Sequence, residues 1–314
     1  MKRELARLVP QVDLVHTQLP FVYPTYAAAN AARRCRKPLF YHQRGVLDPE
    51  QLQFRGLKKK LYIDKIERPI MQEAAALIAL AEAEVASYRA LGVQTPCCVI
   101  PNGIDIALYR GQPDPAGIAK WKLPPDATVI LFMARLHPRK GAEKLLQAFQ
   151  QVYARFPKAV LVLAGPDEWG LQEKYRQWVL EAGLSERILF PGMVTGEDKF
   201  NLLARADLYC LPASGEGFSM AVLEALASET AVLLSPGCNF PEVVPAGVGR
   251  ITDPAPEKLA AALAEMLSAP DRLREMGRKS RAFVAANYTW DIVADQLLAV
   301  YEQGIRRYRE CRDV

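Results

Sequence analysis

The chain has 314 residues, half of them hydrophobic and 24% charged, a composition that excludes disordered and low-complexity classes and leaves room for about two domains. No uninterrupted apolar run reaches the length of about eighteen residues that reads as a membrane-spanning helix, and Met1-Lys2-Arg3-Glu4-Leu5 lacks the apolar centre of a signal peptide. The net charge of +5 is uneven: residues 1–100 carry 15 Lys+Arg against 9 Asp+Glu, the rest 25 against 26. The excess lies in Arg33, Arg34, Arg36 and Lys37, and in Arg55, Lys58, Lys59, Lys60, Lys65 and Arg68. That skew suggests an anionic partner for the first half; the alternative is a solvated helix face, the favoured reading for Lys58–Lys60 taken alone. Nucleic acid is disfavoured, because no recognition motif accompanies the charge and stacking aromatics are not interleaved with it.

In chain order, a short polar helix leads to an expected strand at Val12–His16, then one at Pro38–His42 and a short apolar run at Ala74–Ala81. Lys58–Arg89 is mostly helical in character, and Cys98–Ile100 reads as a strand ending in the turn Pro101-Asn102-Gly103. Gln112-Pro113-Asp114-Pro115-Ala116-Gly117 reads as a linker. From there the alternation is regular: strands at Thr128–Ala134, Ala159–Ala164, Ile188–Phe190, Asp207–Leu211 and Ala231–Ser235, with helices at Gly141–Tyr153, Leu171–Glu181, 197–204 and 219–227 between them. Such alternation predicts a parallel, doubly wound α/β sheet, whose ligands bind beyond the carboxyl ends of the strands. Trp290–Arg309 is a long amphipathic helix. The expected domains are 1–112, 113–289 and a closing helical segment 290–314 that returns to the first domain.

Several loops carry candidate chemistry. Ser219-Met220-Ala221-Val222-Leu223-Glu224-Ala225-Leu226-Ala227 is apolar nearly all round, the mark of a buried helix. Glu224 inside it needs either a buried partner or a ligand, because an isolated carboxylate is costly there. Glu216 precedes it between Gly215 and Gly217, where backbone can approach a ligand closely, and Ser219 is the expected N-cap. The eight-residue spacing gives the two glutamates separate tasks. Arg135-Leu136-His137-Pro138-Arg139-Lys140-Gly141 links a strand to a helix, so Arg135 and Lys140 flank an anion-favouring helix start suited to a diphosphate. The alternative is a solvated basic turn. His16, His42 and His137 lack metal-ligand spacing and no Asp-x-Asp pair occurs, so no metal is expected. The six cysteines follow no metal pattern, and Cys97 and Cys98 are expected to pack rather than react.

Arg135 with Lys140, and Glu216 with Glu224 in a Glu-x7-Glu arrangement, resemble the retaining nucleotide-sugar glycosyltransferases of family 4. Ile100-Pro101-Asn102-Gly103-Ile104-Asp105, Gly165-Pro166-Asp167, Ser235-Pro236-Gly237-Cys238-Asn239-Phe240-Pro241-Glu242 and Asn287-Tyr288-Thr289-Trp290 fit the same family across nearly the whole chain. Arg44-Gly45-Val46-Leu47-Asp48 looks like the acceptor-side loop of members that build bacterial surface polysaccharides. The resemblance implies the GT-B fold, two Rossmann-like doubly wound domains facing a cleft. By the same resemblance the N-terminal one is expected to be incomplete, since the family's usual opening strand and glycine-rich loop find no counterpart in residues 1–314.

Roles follow by the same resemblance. Arg135 and Lys140 would hold the donor diphosphate, the segment Gly215, Gly217, Phe218 and Ser219 would meet phosphate or sugar, and Glu224 would accept the ribose hydroxyls. Glu216 would orient the transferred sugar. Arg44, Gly45 and Asn102 would lie on the acceptor side, Arg44 standing where many members have a histidine. The implied reaction is transfer from a UDP- or GDP-sugar to a glycan or lipid-linked acceptor with retention of configuration and no cofactor, in the cytoplasm or at the inner face of the cell membrane. Two alternatives remain: a shortened homologue that binds nucleotide-sugar as a non-catalytic partner, and a nucleotide-sugar epimerase.

Overall fold

The computed structural model describes residues 1–48, 52, 56–109 and 111–310. Its contacts divide the chain into two units, Met1–Gly103 with Trp290–Val314, and Ile104–Thr289. The first division falls at Gly103/Ile104, earlier than position 112, because the segment after Gly103 is tied to the second unit. Ile104 donates its amide to the Tyr288 carbonyl at 2.8 Å and bridges Thr289. The half-buried Arg281 guanidinium grips the carbonyls of Tyr109, Ile106 and Ala227 at 2.7–3.1 Å.

The first unit holds a four-stranded parallel sheet, β1 (Val15–Gln18), β2 (Leu39–His42), β3 (Ala76–Ala79) and β4 (Cys97–Val99), in that spatial order. β2 and β3 are buried at every position, as strands covered on both faces must be, and they accordingly read as apolar runs. β1 begins later than Val12 because Pro10 sits in a 3-10 turn, Val9–Gln11, and pairing starts only where the Val15 amide reaches the Pro38 carbonyl at 2.9 Å. The Trp290–Glu310 helix packs on this sheet through Val293, Leu297, Val300 and Tyr301 against Phe40, Ile78 and Ile100. The expected helical stretch Lys58–Arg89 is interrupted by β3, and a five-residue π segment, Ile63–Glu67, joins its first two helices. Glu67, buried there, accepts the Phe21 amide at 2.7 Å and the Tyr41 hydroxyl at 2.6 Å.

The second unit holds six parallel strands: β5 (Thr128–Met133), β6 (Ala159–Ala164), β7 (Ile188–Gly192), β8 (Leu208–Leu211), β9 (Ala231–Leu234) and β10 (Gly249–Ile251). Their order is β10-β9-β8-β5-β6-β7. The chain builds outward from β5 through β6 and β7, then returns to the other side of β5 to lay down β8. The strand order therefore reverses between β5 and β8, and such a reversal opens a crevice at the carboxyl ends of the two strands. The expected linker at 112–117 is in part a helix, Pro115–Ala119. Asp114 caps it by accepting the Ala116 amide at 3.2 Å, and Asn201 accepts the Asp114 amide at 2.8 Å. β10 and the helices Pro256–Leu267 and Pro270–Asn287 complete the unit.

Candidate active site

Three loops leave the second sheet around its reversal point, after β5, β8 and β9, and they are fastened to one another. Ser214 donates its amide to the Arg139 carbonyl at 2.8 Å, and Glu216 donates its amide to the Gly237 carbonyl at 2.8 Å. Asn239, in the left-handed region at φ 52°, returns its side-chain amide to the Glu216 carbonyl at 2.5 Å. The buried Ser235 hydroxyl donates to the Ala213 carbonyl. Gly237 is obligatory in this arrangement: a Cβ there would lie 2.5 Å from the Ala213 oxygen. Gly141, at φ 79°, likewise faces the Pro212 carbonyl where a side chain would collide with it.

On this frame the expected residues fall into two carboxylate–lysine pairs. Lys140 pairs with Glu216, the two side chains only 18% and 12% exposed. A pair so withdrawn from water loses much of its Coulomb gain to desolvation, so fold stability alone is a weak reason for it. Glu224 pairs with Lys199 at 2.9 Å and accepts the Tyr109 hydroxyl at 3.0 Å. The partner that this carboxylate demanded is therefore a lysine and a tyrosine. Both contacts fall on Oε1, and among the described residues Oε2 has no hydrogen-bond partner. The Tyr109 hydroxyl is held well above its usual pKa by burial first and then by the Glu224 charge, so it remains a donor. Glu216 and Glu224 thus have different partners among the described residues.

Arg135 stands apart from the pairs. Among the described residues it reaches only Glu168, at 3.5 Å, with both side chains more than half exposed, a contact that contributes about 0–1 kcal/mol. Phe218 turns its ring into an aromatic cluster with Phe240 and Tyr288, at centroid distances of 5.2 and 6.1 Å. Ser219 occupies the N-cap of the Met220–Ala227 helix, but its hydroxyl makes no capping bond. None of the Gly217, Phe218 and Ser219 amides donates to a protein acceptor among the described residues. Three open N–H groups beside a helix start form an anion cradle.

Arg44, Gly45 and Asn102 come together in the first unit, where Arg44 Nη1 donates to the Asn102 side-chain oxygen. Sequence reasoning missed Lys199 and Tyr109, which no local pattern marks. It considered His16 and His42 only as metal ligands, and among the described residues no group of His, Cys, Asp or Glu could hold a metal ion. No helix of the described residues is long and apolar enough to cross a membrane. Cys97 packs against the core of the first unit, and burial pushes its thiol up to about 12.

Residues 115–283 match the model of the glycosyl transferases group 1 family, and residues 2–103 match that of the glycosyl transferase 4-like domain. The chain belongs to the glycosyl transferases group 1 family. It is similar to the phosphatidyl-myo-inositol mannosyltransferase of Mycobacterium tuberculosis, 34% identical over 247 residues, 76% of this chain and 62% of that protein. It is also similar to the D-inositol 3-phosphate glycosyltransferase of Segniliparus rotundus, 31% identical over 212 residues, 66% of this chain and 47% of that protein. The chain thus spans about half to three-fifths of the length of these group 1 relatives. Among solved structures, that of Anabaena HepE in complex with UDP superposes with a TM-score of 0.80 at 22% identity, over 96% of this chain and 81% of that one. The two parallel α/β sheets are those of the GT-B fold.

Proposed function

We propose that this group 1 family member moves a sugar from a nucleotide-sugar to a glycan or lipid-linked hydroxyl, with retention at the anomeric carbon. The reading rests on one observation: the Lys140–Glu216 and Lys199–Glu224 pairs and three open amides gather at the strand-order reversal. The donor diphosphate draws Lys140 away from Glu216 and takes the amides of Gly217–Ser219, with Arg135 swinging in from its weak surface contact. Glu216, released, accepts hydroxyls of the transferred sugar. The open Oε2 of Glu224 accepts the ribose hydroxyls, while Lys199 and Tyr109 hold Oε1. The acceptor oxygen bonds to the anomeric carbon on the face from which the diphosphate departs. The old carbon–oxygen bond breaks, and the acceptor proton passes to a phosphate oxygen. Arg135, Lys140 and the amides neutralise the developing charge.

The first unit supplies the acceptor side and a peripheral contact with the anionic inner face of the cell membrane. On the Gly56–Tyr62 helix, Leu57 and Leu61 are 85% and 62% exposed beside Lys58 and Lys60, a pairing of apolar and basic side chains suited to anionic lipid.

Calorimetric titration of UDP- and GDP-sugars, paired with donor hydrolysis, tests the proposal on wild type, Lys140→Ala and Glu216→Ala. Lys140→Ala is expected to weaken binding by about 10- to 100-fold, the loss of one charge-assisted contact. Glu216→Ala should keep nucleoside diphosphate binding and lose hydrolysis. Absence of binding at millimolar concentration for every nucleotide-sugar overturns the donor reading. Binding without turnover on any acceptor assigns the chain to the non-catalytic partner class.

A further inference from the structure

In the first unit, β1, β2 and the turn after β2 bring together His16, His42 and Arg44, polar groups that protein partners leave incompletely matched. Arg44 lies two residues past the end of β2 and adopts a left-handed backbone, φ 56°, with Gly45 at φ 76°. A non-glycine residue held there costs about 1–2 kcal/mol, and the fully buried side chain of Gln43 fixes the turn. Its amide nitrogen donates to the Glu84 carbonyl at 2.8 Å and its oxygen accepts the Leu47 amide at 3.1 Å. The guanidinium so placed is half-buried and, among the described residues, hydrogen-bonds only neutral partners. Nε donates to the Gln18 side-chain oxygen at 3.0 Å, and Nη1 donates to that of Asn102. Glu84 acts on Arg44 through space, but its Oε2 accepts the Leu80 amide at 2.7 Å. Among the described residues no carboxylate forms an ion pair with Arg44.

Beside it, His16 and His42 stack with ring centroids 5.8 Å apart and planes at 18°. His42 is only 5% exposed, and the Nε2 atoms of both rings are buried without a partner. His16 Nδ1 meets the Tyr301 hydroxyl at 2.5 Å. A hydroxyl donating there leaves the imidazole proton on Nε2, as a donor with nothing to receive it. Buried donors are ordinarily satisfied, and a guanidinium is ordinarily matched by an anion. A ligand with several anionic oxygens supplies what is missing, and groups arriving from two adjacent strands and a turn suit tetrahedral phosphoryl oxygens better than a planar carboxylate.

We propose that Arg44, His16 and His42 form a subsite for a phosphoryl group on the acceptor, making the acceptor a sugar phosphate or a lipid-phosphate-linked glycan. This assignment rests on the glycosyl-transfer reading for the word acceptor, and its test separates the two. The chain has three histidines, so histidine-selective labelling gives an NMR spectrum in which His137 reports the donor loop and His16 and His42 report this subsite. In the Lys140→Ala background, methyl phosphate is expected to shift His16 and His42 saturably and to leave His137 in place. Arg44→Gln should weaken that response at least tenfold, and Arg44→Lys should keep part of it. Dimethyl phosphate distinguishes a lipid-type diester from a free monoester by which of the two binds more tightly. No movement of His16 and His42, an unchanged response in Arg44→Gln, or an equal response to acetate overturns the proposal. A nucleotide-sugar that fails to move His137 in the wild type counts against the donor reading alone.

Discussion

At the scale of single residues, burial is what makes His16 and His42 testable. Desolvation first, and the Arg44 charge second, hold their pKa values down to about 4 and about 3. Once unfolded, both rings titrate near 6.5, so below that pH the unfolded chain binds protons the fold refuses, and stability falls as pH drops. Between pH 7 and pH 5 each ring costs about 2 kcal/mol, one and a half pKa steps at 1.36 kcal/mol each. Urea midpoints at the two pH values should therefore fall less in His42→Gln than in wild type, by about 2 kcal/mol. Glu67 and Glu84, whose pKa values burial raises, act in the opposite sense but equally in both proteins. Equal losses would mean that His42 is not held neutral. The Glu224 environment supports a second prediction: Lys199→Met leaves a part-buried carboxylate with Tyr109 alone. It should weaken nucleotide-sugar binding by about tenfold, one charge-assisted contact's worth, whereas Tyr109→Phe should cost less. Equal affinities by calorimetry would remove Lys199 from the site. The need of Glu224 for a partner was legible from its apolar neighbours, but the partner was not, because Lys199 is brought near only by the fold.

At the scale of elements, legibility followed the length and alternation of the apolar runs. Ala159–Ala164 and Leu171–Glu181 fall where their patterns place them, since a fully buried strand and a capped amphipathic helix each declare both ends. The three-residue β10 is too short to show a period, and the helices after it went unread although Pro256 and Pro270 stand at their first positions, where proline favours a helix start. The loops matter more to function, and their fit depends on glycines. Gly237→Ala places a methyl group 2.5 Å from the Ala213 oxygen and 2.6 Å from Ser214, so the loop bearing Glu216 must shift. The expected cost is about 1–3 kcal/mol of stability, with a loss of nucleoside diphosphate affinity of tenfold or more. Gly247→Ala is the matched control: at φ 66° it strains the backbone, but nothing lies within 4 Å of the added methyl. Parallel melting and titration of the two variants decide the point, and equal affinities would show that the fit of these loops does not shape the donor site.

At the scale of the whole chain, the polypeptide leaves the first unit after Gly103 and re-enters it at Trp290. A Cβ on Gly103 would lie 2.7 Å from the Trp290 ring, so the exit and the return are packed together. The amphipathic period of the last helix is plain in the sequence, but which sheet it covers depends on a contact some 260 residues distant, between Gly304 and Phe40. There a Cβ would stand 2.5 Å from the Phe40 ring, in a core made of Ile78, Ile100 and Val293. Gly304→Leu should therefore lift the Trp290–Glu310 helix from β2 and β3 at a cost of about 1–3 kcal/mol. The damage should be local, because β5, β6 and β8 draw their burial from a separate apolar cluster. Amide hydrogen exchange is expected to quicken at Leu39–His42, Ala76–Ala79 and along the last helix, while Thr128–Met133 and Ala159–Ala164 keep wild-type protection. Faster exchange in β5 and β6 as well would contradict the assignment of this helix to the core of the first unit alone. Unchanged exchange everywhere would mean that the groove over Phe40 has room for a side chain.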